Sequence, residues 1–193
     1  NSCDIGLGFD GDGDRLGVVD NKGNIIWADQ YMLLLAKEIS NLYENPKIIM
    51  DVKSSKVFFD EVKKFNCEPI MFKTGHSPIK EKMKEVKSPL SGEMSGHICY
   101  GDDFFGYDDA MYVGLRLLRI LSNEEISLNE LMGLYPKTTA TPETRIDVEE
   151  KRKFEIIDEI KKRLKNTNGV LIDIDGIRVE NNMGWFLIRA SNT

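Results

Sequence analysis

Asp10-Gly11-Asp12-Gly13-Asp14-Arg15 is the stretch of this sequence whose residue types most directly imply chemistry. Three carboxylates so close together repel one another and raise each other's pKa unless a cation lies between them. An all-oxygen donor set of this density suits a hard divalent ion such as Mg2+, which keeps positions open for water or a phosphate oxygen. The glycines allow the sharp turn that convergence needs. Arg15 adds a planar, permanently charged fork suited to phosphate. A plain acidic turn is the bland alternative, but the run lies between two apolar segments, Ile5 to Phe9 and Leu16 to Val19, and contains no lysine. An EF-hand loop requires glycine at its sixth position and glutamate at its twelfth. Arg15 and Asn21 stand there, so that reading fails.

Other candidate residues follow short apolar runs. Asp51 to Ser55 follows Ile48-Ile49-Met50, Lys73 to Ser77 follows Ile70-Met71-Phe72, and Gly92 to His97 follows Pro89-Leu90. Ligands of open parallel sheets bind at the carboxyl ends of strands, which selects these loops. Both histidines of the chain, His76 and His97, fall in them, each beside a glycine. Lys53 offers a charge for phosphate or a tuned proton donor. Glu93, Ser95 and His97 alternate, so an extended segment would present all three on one face, a set suited to vicinal sugar hydroxyls. Arg189, Ser191, Asn192 and Thr193 combine a guanidinium, two hydroxyls and an amide, which suits a phosphate.

The elements that must position these groups can be read from periodicity. Strand, acidic loop, strand, an Asn21–Asn24 hairpin turn and strand occupy residues 5 to 27. Helices are expected over 29–43, 56–65 and 79–86, and after Asp108 or Asp109, which can cap a helix built on Val113, Leu117, Leu118 and Leu121. This alternation with strands predicts an α/β fold, with a mixed, mostly parallel sheet flanked by helices. Composition shifts near Tyr135-Pro136, and 137–142 reads as a linker or edge strand. A capping box at Asp147 and Glu150, a helix carrying Phe154, Ile157, Ile160 and Leu164 and ending at Asn168-Gly169, and strands at 170–172, 177–179 and 185–188 predict a small α+β unit.

The 193 residues bound one or two domains. A net charge of −6 gives no reason to expect nucleic acid or an anionic membrane as partner. No run reaches transmembrane length and no secretory signal is visible. Three widely spaced cysteines fit no zinc pattern and read as reduced thiols, hence a cytoplasmic protein. The chain opens almost directly in a strand and stops in a polar loop, as a piece of a longer protein would.

Four segments together, Asp10–Arg15, Thr74-Gly75-His76-Ser77, Gly92–His97 and Arg189–Thr193, resemble the α-D-phosphohexomutases in type, order and spacing. The phosphomannomutase/phosphoglucomutase branch is the most similar. Met94 favours it, because phosphoglucosamine mutases tend to have glutamine there. The resemblance covers essentially the whole chain. It implies that residues 1–24 end domain 2, that 25–136 form the sugar-binding α/β domain 3, and that 137–193 form domain 4 up to its phosphate loop. It also implies that Asp10, Asp12 and Asp14 hold Mg2+ and that Arg15 lies by the transferring phosphoryl group. Lys53 and His76 would be polar catalytic groups, possible proton-transfer partners. Glu93, Ser95 and His97 would bind sugar hydroxyls, and Arg189, Ser191, Asn192 and Thr193 the distal phosphate. The implied reaction interconverts hexose 1-phosphate and hexose 6-phosphate through a phosphoserine and a bisphosphorylated sugar. No segment here matches the family's serine loop, and Ser95 is no substitute. The chain alone is therefore expected to be inactive and to need the missing N-terminal domains as partners. Competing readings are a non-catalytic sugar-phosphate or Mg2+-binding module, a phosphoglucosamine mutase and a response-regulator-like phosphotransfer domain. The last predicts no sugar loop.

Overall fold

The computed structural model describes residues 2–191, which form two compact units dividing between Thr138 and Thr139. In the first unit, strands β1 (Ile5–Phe9), β2 (Leu16–Asp20) and β3 (Ile25–Ile26) make an antiparallel meander in that order. The acidic run is the β1–β2 connection, and Leu7 pairs with Val18 across it. The β2–β3 turn is pinned by Asp20, whose carboxylate accepts from Lys22 N, Asn24 N and Asn24 Nδ2, each at 2.8 Å.

Helix α1 (Ala28–Ser40) follows, ending three residues short of the expected Tyr43. Its buried stripe closes at Ile39, and Leu42 and Tyr43 are solvent-exposed, so nothing rewards a further turn. Then come β4 (Lys47–Asp51), α2 (Lys56–Lys64), β5 (Glu68–Phe72), α3 (His76–Val86), β6 (Leu90–Gly92) and β7 (Ile98–Tyr100). The strands form one sheet, ordered β5-β4-β6-β7, in which β4 runs parallel to β5 and β6 while β7 returns antiparallel to β6. Strand β4 is central and buried on both faces. Ile48 and Met50 join the core under α1 and α2, whereas Ile49 meets Ile79 and Met83 of α3. Alternate residues of a strand point to opposite faces, so a sheet covered on both sides reads as a continuous apolar run.

Helix α3 starts at His76 rather than Ile79. Pro78 stands in the first turn, where its missing N–H costs no bond. Strand β7 was not expected. Ile98-Cys99-Tyr100 is fully buried, but the Gly/Asp-rich loop after it hid so short a run. Helix α4 (Ala110–Leu121) is capped by Asp109, whose Oδ1 accepts from Tyr112 N at 2.9 Å. The short α5 (Leu128–Met132) was also not expected; it carries the capping box of Ser127 and Glu130.

The second unit contains α6 (Lys153–Leu164), β8 (Val170–Ile172), β9 (Ile177–Asn181) and β10 (Gly184–Ile188), the strands forming an antiparallel sheet ordered β10-β9-β8. The expected Asp147/Glu150 capping box is not formed. A separate turn, Arg152 N to Glu149 O at 2.8 Å, precedes α6, which starts at Lys153 with no side-chain cap. Residues 137–142 form no strand.

One ionic cluster stabilises the first unit. Arg116 of α4 is buried over the Tyr100 ring, 4.3 Å from its centroid, and pairs with Glu38 of α1 at 2.6 Å and Asp102 at 3.2 Å. Removing one partner of a buried pair leaves an uncompensated charge, which costs about 3–5 kcal/mol. Arg116→Ala should therefore destabilise the first unit by about 3 kcal/mol in urea denaturation. A loss no larger than that of an exposed ion pair would show the cluster to be energetically idle.

Candidate functional site

The acidic loop is shaped from within. Arg15 donates from its backbone N to Asp10 Oδ1 at 3.1 Å and from Nε to Oδ2 at 2.5 Å. Burial pushes the Asp10 pKa up, but these bonds and the Arg15 charge outweigh it and hold the carboxyl well below the usual range. Asp14 is shifted upward, first by burial and then by Asp12 and Asp10, against the opposing pull of His97. Oxygens of Asp10, Asp12 and Asp14 lie within 4.8 Å of one another. Asp14 Oδ1 is buried and accepts no hydrogen bond among the described residues, Arg15 Nε lying 3.7 Å from it. A buried carboxylate oxygen that lacks a hydrogen bond and has only this longer ionic contact, in an all-oxygen cluster, fits a hard divalent cation.

A second loop is fastened to the first by main chain. Arg15 and His97 form an isolated antiparallel bridge, and Leu16 N donates to Gly96 O at 3.1 Å. Gly96 has φ +96° and lies so close that a Cβ there would sit 2.8 Å from Leu16 O. Residues 93–97 are not the extended segment expected from alternation. They form the tight β6–β7 turn, with Glu93 N to His97 O at 2.9 Å and Gly96 N to Glu93 O at 3.0 Å. The turn nevertheless brings its polar groups together. His97 Nδ1 is 2.7 Å from Ser95 Oγ and 3.2 Å from Glu93 Oε2, while its Nε2 is 3.4 Å from Asp14 Oδ2. The hydrogen bond that His97 donates to Glu93 raises the His97 pKa, burial opposes it, and the charges of Glu93, Asp14 and Asp108 add to the rise.

Glu93 is buried and also accepts from Gly75 N at 2.7 Å, tying in the third loop. His76, placed in the first turn of α3 rather than in the loop, stands 2.9 Å by Nδ1 from Asp108 Oδ2. The ring centroids of His76 and His97 are 5.4 Å apart. Lys80, one helical turn on from His76, donates to Asp108 Oδ1 at 2.9 Å. Burial would raise the Asp108 pKa, but the bonds from Lys80 and His76 lower it on balance.

Beneath the loops lies Asp51, the last residue of the central strand, fully buried. Its Oδ1 accepts from Ser54 Oγ at 2.7 Å and Met94 N at 3.2 Å, and its Oδ2 from Thr74 Oγ1 at 3.4 Å. One carboxylate thus joins all three strand-end loops. Burial raises its pKa to about 6, with Ser54, Met94 and Lys53 opposing and Glu93 adding. Lys53 sits in the same loop, two residues on. Sequence reasoning assigned no role to Asp51 and saw Asp108 only as a possible helix cap. The signal for Asp51 was its place at the carboxyl end of the central strand.

In the second unit Arg189 pairs by Nη2 with Asp175 at 3.2 Å, and its Nε is buried with no hydrogen-bond partner among the described residues. The Ser191 carbonyl accepts from Lys153 Nζ at 2.9 Å. Asn192 and Thr193 lie outside the described residues.

The first unit is thus an α/β/α layer whose aspartate-rich loop is joined to a polar strand-end turn, and a small α+β unit follows it in sequence. Known proteins agree. The family model described as phosphoglucomutase/phosphomannomutase, alpha/beta/alpha domain III, matches residues 27–138, and that of the C-terminal domain matches 143–193. The chain belongs to the phosphoglucomutase/phosphomannomutase family. Phosphomannomutase/phosphoglucomutase of Pseudomonas aeruginosa is 42% identical over 192 residues, which is 100% of this chain and 42% of that protein. Phosphoglucomutase of Neisseria meningitidis is 43% identical over 193 residues, 99% of this chain and 42% of the relative. A crystal structure of a family protein from Burkholderia thailandensis superposes with a TM-score of 0.92 at 39% identity, covering 100% of this chain and 41% of that one. The chain thus spans about two fifths of the length of these relatives. Among the described residues, no helix is long and apolar enough to cross a membrane.

Two predictions test this geometry. Gly96→Ala combines an unfavourable φ with a clash against Leu16, and should cost about 1–3 kcal/mol in urea denaturation. Unchanged stability would mean that the two loops are not packed as described. For Asp51 the folded pKa, about 6, is raised above the unfolded value of about 3.9. Its contribution to stability is therefore fully present below about pH 4 and lost as pH rises through about 6. The stability of the unmodified chain relative to Asp51→Asn should fall by about 2–3 kcal/mol between those limits. A difference that stays flat with pH would contradict a carboxyl whose pKa burial raises in the folded state.

Proposed function

We propose that the protein containing this chain interconverts hexose 1-phosphate and hexose 6-phosphate, with glucose or mannose as the sugar, and that this chain supplies its metal, sugar and distal-phosphate groups. The observation that carries the reading is the junction of the acidic loop with the 93–97 turn through the Arg15–His97 bridge. It sets a candidate phosphoryl-transfer centre beside a candidate sugar-hydroxyl centre.

The roles follow from the chemistry of each group. Asp10, Asp12 and Asp14 would hold Mg2+, which when bound neutralises phosphoryl oxygens as charge spreads in transfer. Arg15, its Nε fixed by Asp10, offers the rest of its fork to the same oxygens. Ser95 and His97 receive sugar hydroxyls and set the ring's orientation. Glu93, buried and engaged with Gly75 and His97, contributes its remaining acceptor capacity and fixes the imidazole. His76 would accept the proton that a sugar hydroxyl gives up when its oxygen bonds to phosphorus, and Lys53 would offer a charge to the phosphate or act as the proton donor. Arg189, Ser191, Asn192 and Thr193 would bind the phosphate that does not react. The phosphoryl donor is assigned to no residue of this chain. The 1–24, 25–136 and 137–193 division is part of the same proposal, the first segment closing a preceding domain.

Calorimetry separates the two halves of the site. Asp12→Asn should weaken Mg2+ binding at least ~10-fold and leave glucose 1-phosphate binding little changed, with His97→Ala doing the reverse. Variants indistinguishable from the unmodified chain, or a chain that binds neither ligand, would sink the reading.

A further inference from the structure

Beyond the roles proposed for them above, His76 and His97 lie beside two carboxylates. With Asp14 and Asp108 they offer four ligand atoms within 4.8 Å of one another, and the donor set is two imidazoles and two carboxylates. We propose that these four residues form a second metal site, distinct in chemistry from the aspartate loop and suited to Zn2+ or a similar first-row ion. This inference rests on the side-chain positions and does not depend on the mutase reading.

Two ligand-atom distances and the ring separation in this cluster can be compared with a tetrahedral zinc site. A Zn–N distance of about 2.1 Å plus an imidazole radius of about 1.1 Å places each ring centroid roughly 3.2 Å from the ion, so two rings at the tetrahedral angle lie about 5.2 Å apart. His76 and His97 are 5.4 Å apart, tilted by 35°. Ligand atoms on a tetrahedral edge are about 3.4 Å apart for the same bond lengths, and His97 Nε2 to Asp14 Oδ2 is 3.4 Å. His76 Nδ1 to Asp108 Oδ2, at 2.9 Å, needs only a small separation to match.

The surroundings have the features that hold such ligands. A metal-bound histidine donates its other ring nitrogen to a carboxylate, which fixes the tautomer and raises ligand basicity. His97 shows this arrangement, Nδ1 toward Glu93 and Nε2 toward Asp14. Asp108 is oriented by Lys80, which takes Oδ1 and leaves Oδ2 facing His76. Lys80 Nζ is also 3.5 Å from His76 Nδ1 and Arg15 Nε is 3.7 Å from Asp14 Oδ1, so a bound ion must compete with an ammonium and a guanidinium. Against them stand three carboxylates: Asp14, Asp108 and Glu93. Imidazole donors favour Zn2+, Co2+ and Ni2+, whereas Mg2+ prefers oxygen ligands in octahedral geometry. The two clusters therefore sort ions by ligand type while sharing Asp14. A Zn2+ ion held here would occupy the imidazoles assigned to the sugar and to proton transfer, and would oppose hexose phosphate binding.

The test titrates the metal-free full chain with Co2+, whose visible absorption is strong when tetrahedral and faint when octahedral, and then with Zn2+ by calorimetry. One equivalent of Co2+ should develop strong bands that Zn2+ abolishes. His76→Ala and Asp108→Asn, each checked for folding by circular dichroism, should weaken Zn2+ at least ~10-fold, and Glu93→Gln should weaken it by ~10-fold through loss of the orienting carboxylate. Asp12→Asn should leave Zn2+ affinity within about threefold, about 0.65 kcal/mol. Faint octahedral spectra, no saturable binding, full affinity in His76→Ala, or loss of affinity in Asp12→Asn would each overturn the proposal.

Discussion

The close approach of residue 96 to residue 16 is the constraint on which the candidate site depends. Gly96 leaves so little room over the Leu16 backbone that only a missing Cβ allows the contact. The hydrogen bond from Leu16 N to Gly96 O and the Arg15–His97 bridge then make the acidic loop and the β6–β7 turn parts of one surface. The loops come from different sheets, the antiparallel meander and the mixed sheet. Side chains alone would hold them only as well as a few exposed ion pairs. Main-chain bonds made between elements with buried cores do better, because those elements are already ordered.

Around this junction the structure accumulates charge that it only partly neutralises. Arg15 satisfies Asp10, while Asp14 keeps an oxygen with no hydrogen bond among the described residues and an upward-shifted pKa. Buried Glu93 and Asp51 spend their acceptors on backbone and hydroxyl groups of the neighbouring loops. Local charge conflict of this kind is costly to stability and characteristic of sites that bind or transfer charged groups. The fold provides for it with a well-packed base, in which β4 is buried on both faces and α1, α2 and α3 cover it.

Much of this was legible in the sequence. Apolar runs and helical spacing place the strands and helices of the α/β unit, because burial on one stripe or on both faces of a strand imposes those patterns. The Asp-Gly-Asp-Gly-Asp-Arg run names its own chemistry. Short or context-dependent features were not legible: β7, with three residues; α5, with five; and the true start of α6. The 93–97 turn shows why. Alternation of Glu93, Ser95 and His97 reads as an extended strand, but Gly96 at positive φ bends it, and the residues meet through the turn instead. The roles of Asp51, Asp108 and Lys80 were hidden for a related reason. They become visible only when separate loops are brought together, and no local spacing encodes that.

The central claim is that the acidic loop and the 93–97 turn are one site. Mn2+ is a paramagnetic stand-in for Mg2+ that broadens NMR signals of nuclei near it. Added in small amounts to the isotopically labelled chain, it should broaden the amides of Gly11 to Arg15 and those of Glu93 to His97 together, at the same metal concentration. Broadening confined to the acidic loop, or spread evenly over the exposed carboxylates of the surface, would contradict the account.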